Sequence, residues 1–78
     1  MTVRAYVLIQ TEVGRAAHVA AEVRRLDGVV AADDVTGPYD VIVRVEAPSM
    51  NHLGRMVVRD VQQIEGITRT ITCPIVRL

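Results

Sequence analysis

The chain opens on a strand-like pattern that then changes to a helical one. Val3 to Gln10 is a run of β-branched and aliphatic residues, whereas from about Arg15 to Leu26 apolar residues recur every three or four positions. The second spacing places one apolar stripe on a helix and leaves the charged residues to solvent. Asp27-Gly28 ends this segment, because glycine adopts the left-handed conformation at a helix C-terminus without steric cost. These patterns predict a strand followed by an amphipathic helix.

A further set of strands and a second helix follow. Val29 to Thr36 and Asp40 to Val45 have the composition of strands, and the tight turn Gly37-Pro38 between them predicts an antiparallel hairpin. A second helix is predicted to begin at Ser49, a suitable N-cap residue. The apolar stripe of this helix consists of Leu53, Val57, Val61 and Ile64. A last strand is predicted over Ile67 to Ile75.

The ends of the two predicted helices carry similar sequences, Leu26-Asp27-Gly28-Val29 and Ile64-Glu65-Gly66-Ile67. Two strand–helix–strand units in succession give the order β-α-β-β-α-β. Right-handed crossovers then place both helices on one face of a four-stranded antiparallel sheet. We therefore predict an α+β protein with a ferredoxin-like fold.

Alternation along the strands predicts that the second face of the sheet is also partly apolar. Val41, Val43 and Val45 share one face of the third strand. The residues that alternate away from the valine-rich positions are Tyr6, Leu8 and Ile42. Because an uncovered apolar face is typical of an interaction surface, we predict a homodimer in which this face packs against the same face of a second chain. Such packing closes a dimeric α/β barrel.

Length and charge narrow the classes of function. The 78 residues form one predicted domain, residues 1–78, and a chain of this length buries only about 60% of its unfolded surface, which favours self-association. Nine arginines balance nine acidic residues, and the only aromatic residues are Tyr6 and Tyr39. A nucleic-acid binder concentrates positive charge on one face and adds stacking aromatics, so we predict no direct nucleic-acid partner.

The same sequence gives no indication of membrane insertion or secretion. No segment approaches the roughly 20 apolar residues that a membrane span needs, and no signal peptide is evident. The single cysteine, Cys73, excludes an internal disulfide and is typical of a reducing compartment. We therefore predict a cytoplasmic protein without a membrane partner.

The residues that carry chemistry in other proteins do not form a catalytic or metal-binding set. His18 is interpreted as a partly exposed structural residue, His52 as a solvated residue and Cys73 as a buried, inert thiol. Asp33 and Asp34 point to opposite faces of a strand and so cannot act as one acid pair. We predict no enzymatic activity, no metal and no cofactor.

One segment, Thr36-Gly37-Pro38-Tyr39-Asp40, has more polar chemistry than a turn requires. Its glycine and proline suit a hairpin, but a tyrosine followed by an acid at the start of a strand is not needed for turning. One interpretation is a simple turn in which Asp40 caps backbone amides. The other is a ligand site, in which Gly37 lets a ligand approach the backbone and Asp40 faces its cationic group.

In this segment and along essentially its whole length, the chain resembles the effector-binding domain of the Lrp/AsnC family. The resemblance is carried by Leu26-Asp27-Gly28-Val29-Val30, by the turn Thr36 to Asp40 running into Val41-Ile42-Val43-Arg44-Val45, and by Glu65-Gly66-Ile67-Thr68-Arg69-Thr70. The chain begins directly at the first strand and so resembles a stand-alone form without the helix-turn-helix domain.

This resemblance implies a small-molecule effector and an assembly. Family members form dimers through the open sheet face and rings of dimers, commonly octamers, with amino acids bound in clefts between neighbouring dimers. Our first hypothesis is that such a domain binds an amino acid and passes on the signal either by changing its oligomeric state or by joining full-length Lrp/AsnC-type regulators. The residues that it assigns to the amino-acid site are Thr36, Gly37, Tyr39 and Asp40, with Thr70 and Thr72 of the last strand.

Three alternatives remain open from the residues alone. An ACT-like regulatory domain has the same order of elements, and Val13-Gly14-Arg15 weakly resembles its effector loop. A small dimeric α/β-barrel enzyme has the same two-chain architecture. A purely structural adaptor with an empty cleft would have a very similar sequence.

Overall fold

The chain follows the predicted order β-α-β-β-α-β in a computed structural model, which describes residues 2–76. The elements are β1 (Val3–Thr11), α1 (Ala16–Arg24), β2 (Val29–Asp34), β3 (Val41–Ala47), α2 (Met50–Met56), a π-helical turn (Val57–Val61) and β4 (Ile67–Pro74). The α+β, ferredoxin-like prediction is therefore confirmed. The connection between β2 and β3 is longer than the predicted turn Gly37-Pro38 and spans residues 35–40, because the Val35 N–H group donates to the Asp40 carbonyl at 3.0 Å and closes a wider loop.

The four strands form one antiparallel sheet in the order β2-β3-β1-β4. β1 and β3 are central, and β2 and β4 are the two edges. In β1, Ala5, Val7 and Ile9 are fully buried and alternate with more exposed residues. The buried residues of both helices join these positions in one hydrophobic cluster, so both helices cover the same face of the sheet.

The second helix is capped as predicted but ends differently. The Ser49 hydroxyl accepts a hydrogen bond from the His52 N–H group at 3.1 Å. The helix then widens into a π-helical turn that the sequence did not predict, and the Gln62 N–H group donates to the Val57 carbonyl at 2.9 Å. The core residues of this segment are Leu53, Met56, Val57 and Val61. The widened turn allows the neighbours Met56 and Val57 to face the core together, and Ile64 packs against it only partly buried.

Removing the N-cap hydroxyl is expected to weaken this helix. Ser49→Ala leaves the His52 N–H group without its acceptor, and we expect the free energy of unfolding to fall by about 1 kcal/mol. For a domain of this length the melting temperature would then fall by about 4–8 °C. Thermal denaturation checks this, with Ser49→Asp as the control that keeps an acceptor. Equal losses in both variants would contradict a capping role.

The similar helix-end sequences take similar structures. Gly28 and Gly66 have backbone φ angles of 91° and 102°, which favour glycine. The Gly28 carbonyl accepts a hydrogen bond at 2.8 Å from the N–H group of Glu46, near the end of β3. The Gly66 carbonyl accepts one at 2.8 Å from the N–H group of Glu12, which directly follows β1. The predicted repeat is therefore present in the backbone, where each glycine ties one half of the chain to the other.

Candidate functional site

The Thr36–Asp40 segment lies beside the end of the central strand β1. The Asp40 N–H group donates to the Ile9 carbonyl at 2.9 Å, and Nε2 of Gln10 donates to the Pro38 carbonyl at 3.0 Å. Both contacts join the segment to β1, about thirty residues away in sequence. The loop is therefore held against the sheet by contacts at two of its residues.

The Asp40 carboxylate is half-buried and has a structural partner. Its Oδ2 atom accepts a hydrogen bond from the Thr11 N–H group at 2.8 Å. This is the backbone-capping interaction of the first interpretation, although the capped amide belongs to β1 and not to the turn itself. A carboxylate has two oxygens with several acceptor positions, and this bond engages one of them. The geometry therefore also allows Asp40 to accept from a ligand.

Gly37 leaves the backbone of the loop open to approach. Its φ angle is 136°, and no heavy atom of residues 2–76 outside its immediate neighbours lies within 4 Å of the position that a Cβ atom would take. Thr36 and Gly37 are exposed, and Tyr39 is half-buried. The loop thus combines an accessible backbone, a hydroxyl group and a partly buried carboxylate.

Thr70 and Thr72 lie apart from this loop. In the register of β4 with β1 they stand opposite Ile9 and Val7, so they point toward the helix-covered side of the sheet. The Thr70 hydroxyl accepts a hydrogen bond from Nε2 of Gln62 at 3.1 Å, beside a shallow depression of about 270 Å³. Because β1 lies between β3 and β4, Thr70 is two strand spacings, about 10 Å, away from the start of β3. The structure of a single chain therefore does not gather all six predicted ligand residues into one pocket.

The open sheet face has the apolar row that the alternation predicted. Leu8 pairs with Ile42 on one side and Ile71 on the other, so three aliphatic side chains lie side by side across three strands. Tyr6, 41% exposed, occupies the next row with Arg44 and Cys73 as its neighbours. The alternation pattern did not predict that Ile71 belongs to this apolar row, because its position beside Leu8 depends on the register of β4 with β1.

The prediction that Cys73 is buried is wrong. Cys73 is exposed, since it stands opposite Tyr6 on the uncovered face of an edge strand. His52 is exposed, in line with its interpretation as a solvated residue, and His18 is more exposed than its interpretation as a partly exposed structural residue predicted. Within residues 2–76 no three histidine, cysteine or acidic residues lie close enough to hold a metal ion. In the same residues no helix is long and apolar enough to cross a membrane.

Comparison with known proteins places the chain among the ligand-binding domains of transcriptional regulators. A family model described as the Lrp/AsnC ligand binding domain matches residues 4–77. The chain belongs to this family.

The relatives agree with this assignment. An uncharacterized helix-turn-helix transcriptional regulator of Pyrococcus horikoshii is 32% identical over 54 residues, which is 69% of this chain and 36% of the relative. The matched segment thus spans about a third of that regulator's length. The crystal structure of TTHA0845 from Thermus thermophilus is 29% identical with a TM-score of 0.91, over 97% of this chain and 95% of that one.

Two structures of lower identity share the fold. AsnC from E. coli is 23% identical with a TM-score of 0.90, over 97% of this chain and 52% of that one. The transcriptional regulator NMB0573 from Neisseria meningitidis, solved as a complex with L-Met, is 18% identical with a TM-score of 0.85, over 96% of this chain and 50% of that one.

Proposed function

We propose that this chain is an amino-acid-binding and oligomerisation module of transcriptional regulation, and that the Thr36–Asp40 loop is its ligand site. The observation that carries the proposal is the Asp40 carboxylate, which is half-buried beside an exposed glycine backbone and which, among residues 2–76, is engaged by the Thr11 amide at one of its two oxygens. A regulator of the same fold was solved with L-Met, which supports an amino acid as the class of ligand.

An amino acid offers groups that match this loop. Its ammonium group needs an anionic acceptor, which the second oxygen of Asp40 supplies, and its carboxylate needs donors, for which the backbone near Gly37 and the Thr36 hydroxyl are suitable. Charge-assisted hydrogen bonds contribute about 1.5–3 kcal/mol each, which is sufficient for micromolar to millimolar affinity. Because contacts with β1 already hold the loop, little ordering is needed on binding.

Self-association completes the proposed site. Thr70 and Thr72 lie on the other side of β1 from the loop, so a second chain is needed to bring such threonines next to a Thr36–Asp40 loop. We infer homodimers through the row Ile42–Leu8–Ile71, with dimers assembled into an octamer or a similar ring. In this arrangement a single domain also joins full-length Lrp/AsnC-type regulators in the cytoplasm.

The test of the ligand site separates the charge of Asp40 from its structural hydrogen bond. Asp40→Asn keeps an oxygen for the Thr11 N–H group and removes the negative charge, whereas Asp40→Ala removes both. We expect Asp40→Asn to weaken amino-acid binding by about tenfold to a hundredfold, because one charge-assisted bond is lost, with little change in melting temperature. Calorimetric titration with each of the twenty amino acids measures the first effect, and thermal denaturation the second.

Asp27→Asn is the matched control, since it makes the same chemical change at an exposed residue in the turn that follows α1. It should bind like the wild type. Wild-type affinity in Asp40→Asn would contradict the proposed site. Absence of binding in the wild-type protein, with the oligomer intact, would assign the chain to a structural adaptor role.

A further inference from the structure

The loop between β1 and α1 carries an exposed valine. Val13 is fully exposed, and no heavy atom of residues 2–76 outside the immediate neighbours of Gly14 lies within 4 Å of the position that a Cβ atom would take there. We call residues 12–14 the Val13 loop. An apolar side chain that projects into water in this way gains free energy when a contact buries it.

Two backbone hydrogen bonds hold the Val13 loop in place. The Glu12 N–H group donates to the Gly66 carbonyl at 2.8 Å, and the Glu12 carbonyl accepts from the Arg15 N–H group at 3.0 Å. The conformation of the loop is therefore set before any contact forms, so burial of Val13 costs little conformational entropy.

A shallow, mainly apolar groove of about 430 Å³ lies on the solvent side of α2. Met50, Gly54 and Val58 follow one another at a spacing of four residues, and Met50 and Val58 are each more than half exposed. Because Gly54 has no side chain and open space above it, it leaves a gap between the two apolar side chains. We call this surface, completed by Asn51, Arg55 and Arg59, the α2 groove.

The charges of the two surfaces are opposite. Arg55 and Arg59 line the α2 groove, and within residues 2–76 no acidic residue lines it and neither arginine forms an ion pair. Among the exposed large hydrophobic residues of this range, Val13 alone is next to an acidic residue in the sequence, the exposed Glu12. Docking of the Val13 loop in the α2 groove brings opposite charges together, whereas contact between two α2 grooves brings like charges together.

One chain cannot make this contact with itself. β1 and β3 are antiparallel, so the Val13 loop, which follows β1, lies at the opposite end of the sheet from the start of α2, which follows β3. A contact between two different surfaces of two copies is heterologous, and it builds a ring if the rotation closes. Both surfaces lie outside the open face that carries Leu8, so the contact leaves the proposed dimer interface free.

We propose that the Val13 loop of one copy docks in the α2 groove of a copy in the neighbouring dimer and so joins dimers into a ring. This inference rests on the ring assembly proposed above, and it adds the surfaces that make the ring. The partner is a second copy because the same chain supplies both the exposed valine with its acid and the apolar groove with its arginines.

Light scattering over a concentration series tests each surface with its own variant. Val13→Ser removes the apolar contact at a fully exposed position, and Gly54→Leu fills the groove without a clash, because its Cβ atom meets open space. Leucine also has a higher helix propensity than glycine, so Gly54→Leu should leave α2 folded. We expect either variant to weaken the contact about tenfold to a hundredfold and to shift the mass from the ring to the dimer. Ala21→Leu, which adds the same side chain at an exposed position of α1, should keep the wild-type mass.

A mixture of the two variants shows whether the two surfaces contact each other. Val13→Ser keeps an intact α2 groove and Gly54→Leu keeps an intact Val13 loop, so each supplies the surface that the other lacks. The mixture should therefore form larger particles than either variant alone at the same total concentration. Such a recovery distinguishes a heterologous contact from two independent losses.

Four outcomes would overturn the inference. A ring that persists in both variants would reject this contact and leave the proposed assembly in place. Loss of the ring in Gly54→Leu alone would assign the α2 groove to a different surface of the second copy, and a mixture no larger than its components would reject the pairing of the two surfaces. A wild-type protein that stays a dimer at all concentrations, with and without amino acids, would reject the ring itself together with this contact.

Discussion

We expect Leu8→Lys to abolish the proposed dimerisation while leaving each chain folded. Leu8 is the central member of the apolar row Ile42–Leu8–Ile71 and lies on the face that the helices leave open. It is half-exposed in the single chain, so a lysine there can extend into solvent when the chain is alone. Against a second apolar sheet its ammonium group would be buried without a partner, which costs several kcal/mol. We therefore expect the dissociation constant of the dimer to rise by about a hundredfold or more.

Molar mass by light scattering measures this effect. The wild type should give a multiple of the dimer mass, and Leu8→Lys should approach the single-chain mass of 8.6 kDa. Ala21→Lys is the control, because it adds the same charge at an exposed position of α1, on the other side of the sheet. Retention of the dimer in Leu8→Lys, together with its loss in Ala21→Lys, would assign the interface to the helices.

The second large effect is expected at Gly28. A Cβ atom there would lie 2.8 Å from the Glu46 carbonyl oxygen, and the φ angle of 91° is strained for any residue with a side chain. Since the obstacle is backbone, Gly28→Ala must displace the strand end that holds the Glu46 N–H to Gly28 carbonyl bond. We expect strain and the disturbed bond together to lower the free energy of unfolding by about 2–4 kcal/mol. That is a large part of the roughly 5 kcal/mol typical of a small domain.

Urea denaturation of the three alanine variants at Gly28, Gly66 and Gly14 tests this argument. A Cβ atom at Gly66 would lie 3.2 Å from the Arg15 Cβ atom, so that variant should be intermediate. At Gly14 no atom of residues 2–76 outside its neighbours lies within 4 Å, and only the conformational cost at a φ angle of 79°, about 1 kcal/mol, should remain. All three must be compared at one protein concentration, because association adds to stability. Equal losses at Gly28 and Gly14 would contradict a role for the close contact with Glu46.

The order of elements was predictable because local rules set it. The spacing of hydrophobic residues distinguished β1 from α1. The similar helix-end sequences around Gly28 and Gly66 indicated the repeat, and both glycines indeed have positive φ angles. The N-cap Ser49 was also predictable, since a cap depends on residues within one helical turn. The π-helical turn was not, because the apolar stripe of α2 reads as a continuous helix until packing brings Met56 and Val57 into the core together.

The site was predictable only in part. The sequence indicated the Thr36–Asp40 loop as a candidate site. The position of Asp40 before a strand was compatible both with capping of backbone amides and with binding of a ligand's cationic group. The hydrogen bond from the Thr11 amide joins residues 29 positions apart, and no local pattern indicates such a partner. For the same reason the separation of Thr70 from the loop by β1 became apparent only from the strand order.

By itself, then, the sequence determined which segments are strands and helices, which strand positions alternate into the core, and where glycine is required. These properties follow from side-chain periodicity and backbone sterics over a few residues. The tertiary structure alone decided the neighbours of each strand and their register, and with them the exposure of Cys73, the row through Leu8 and the contact of Arg24 with Ala32. Strand order and register arise from contacts between distant parts of the chain, because many segments share the same alternation and only packing of the whole core selects which of them pair.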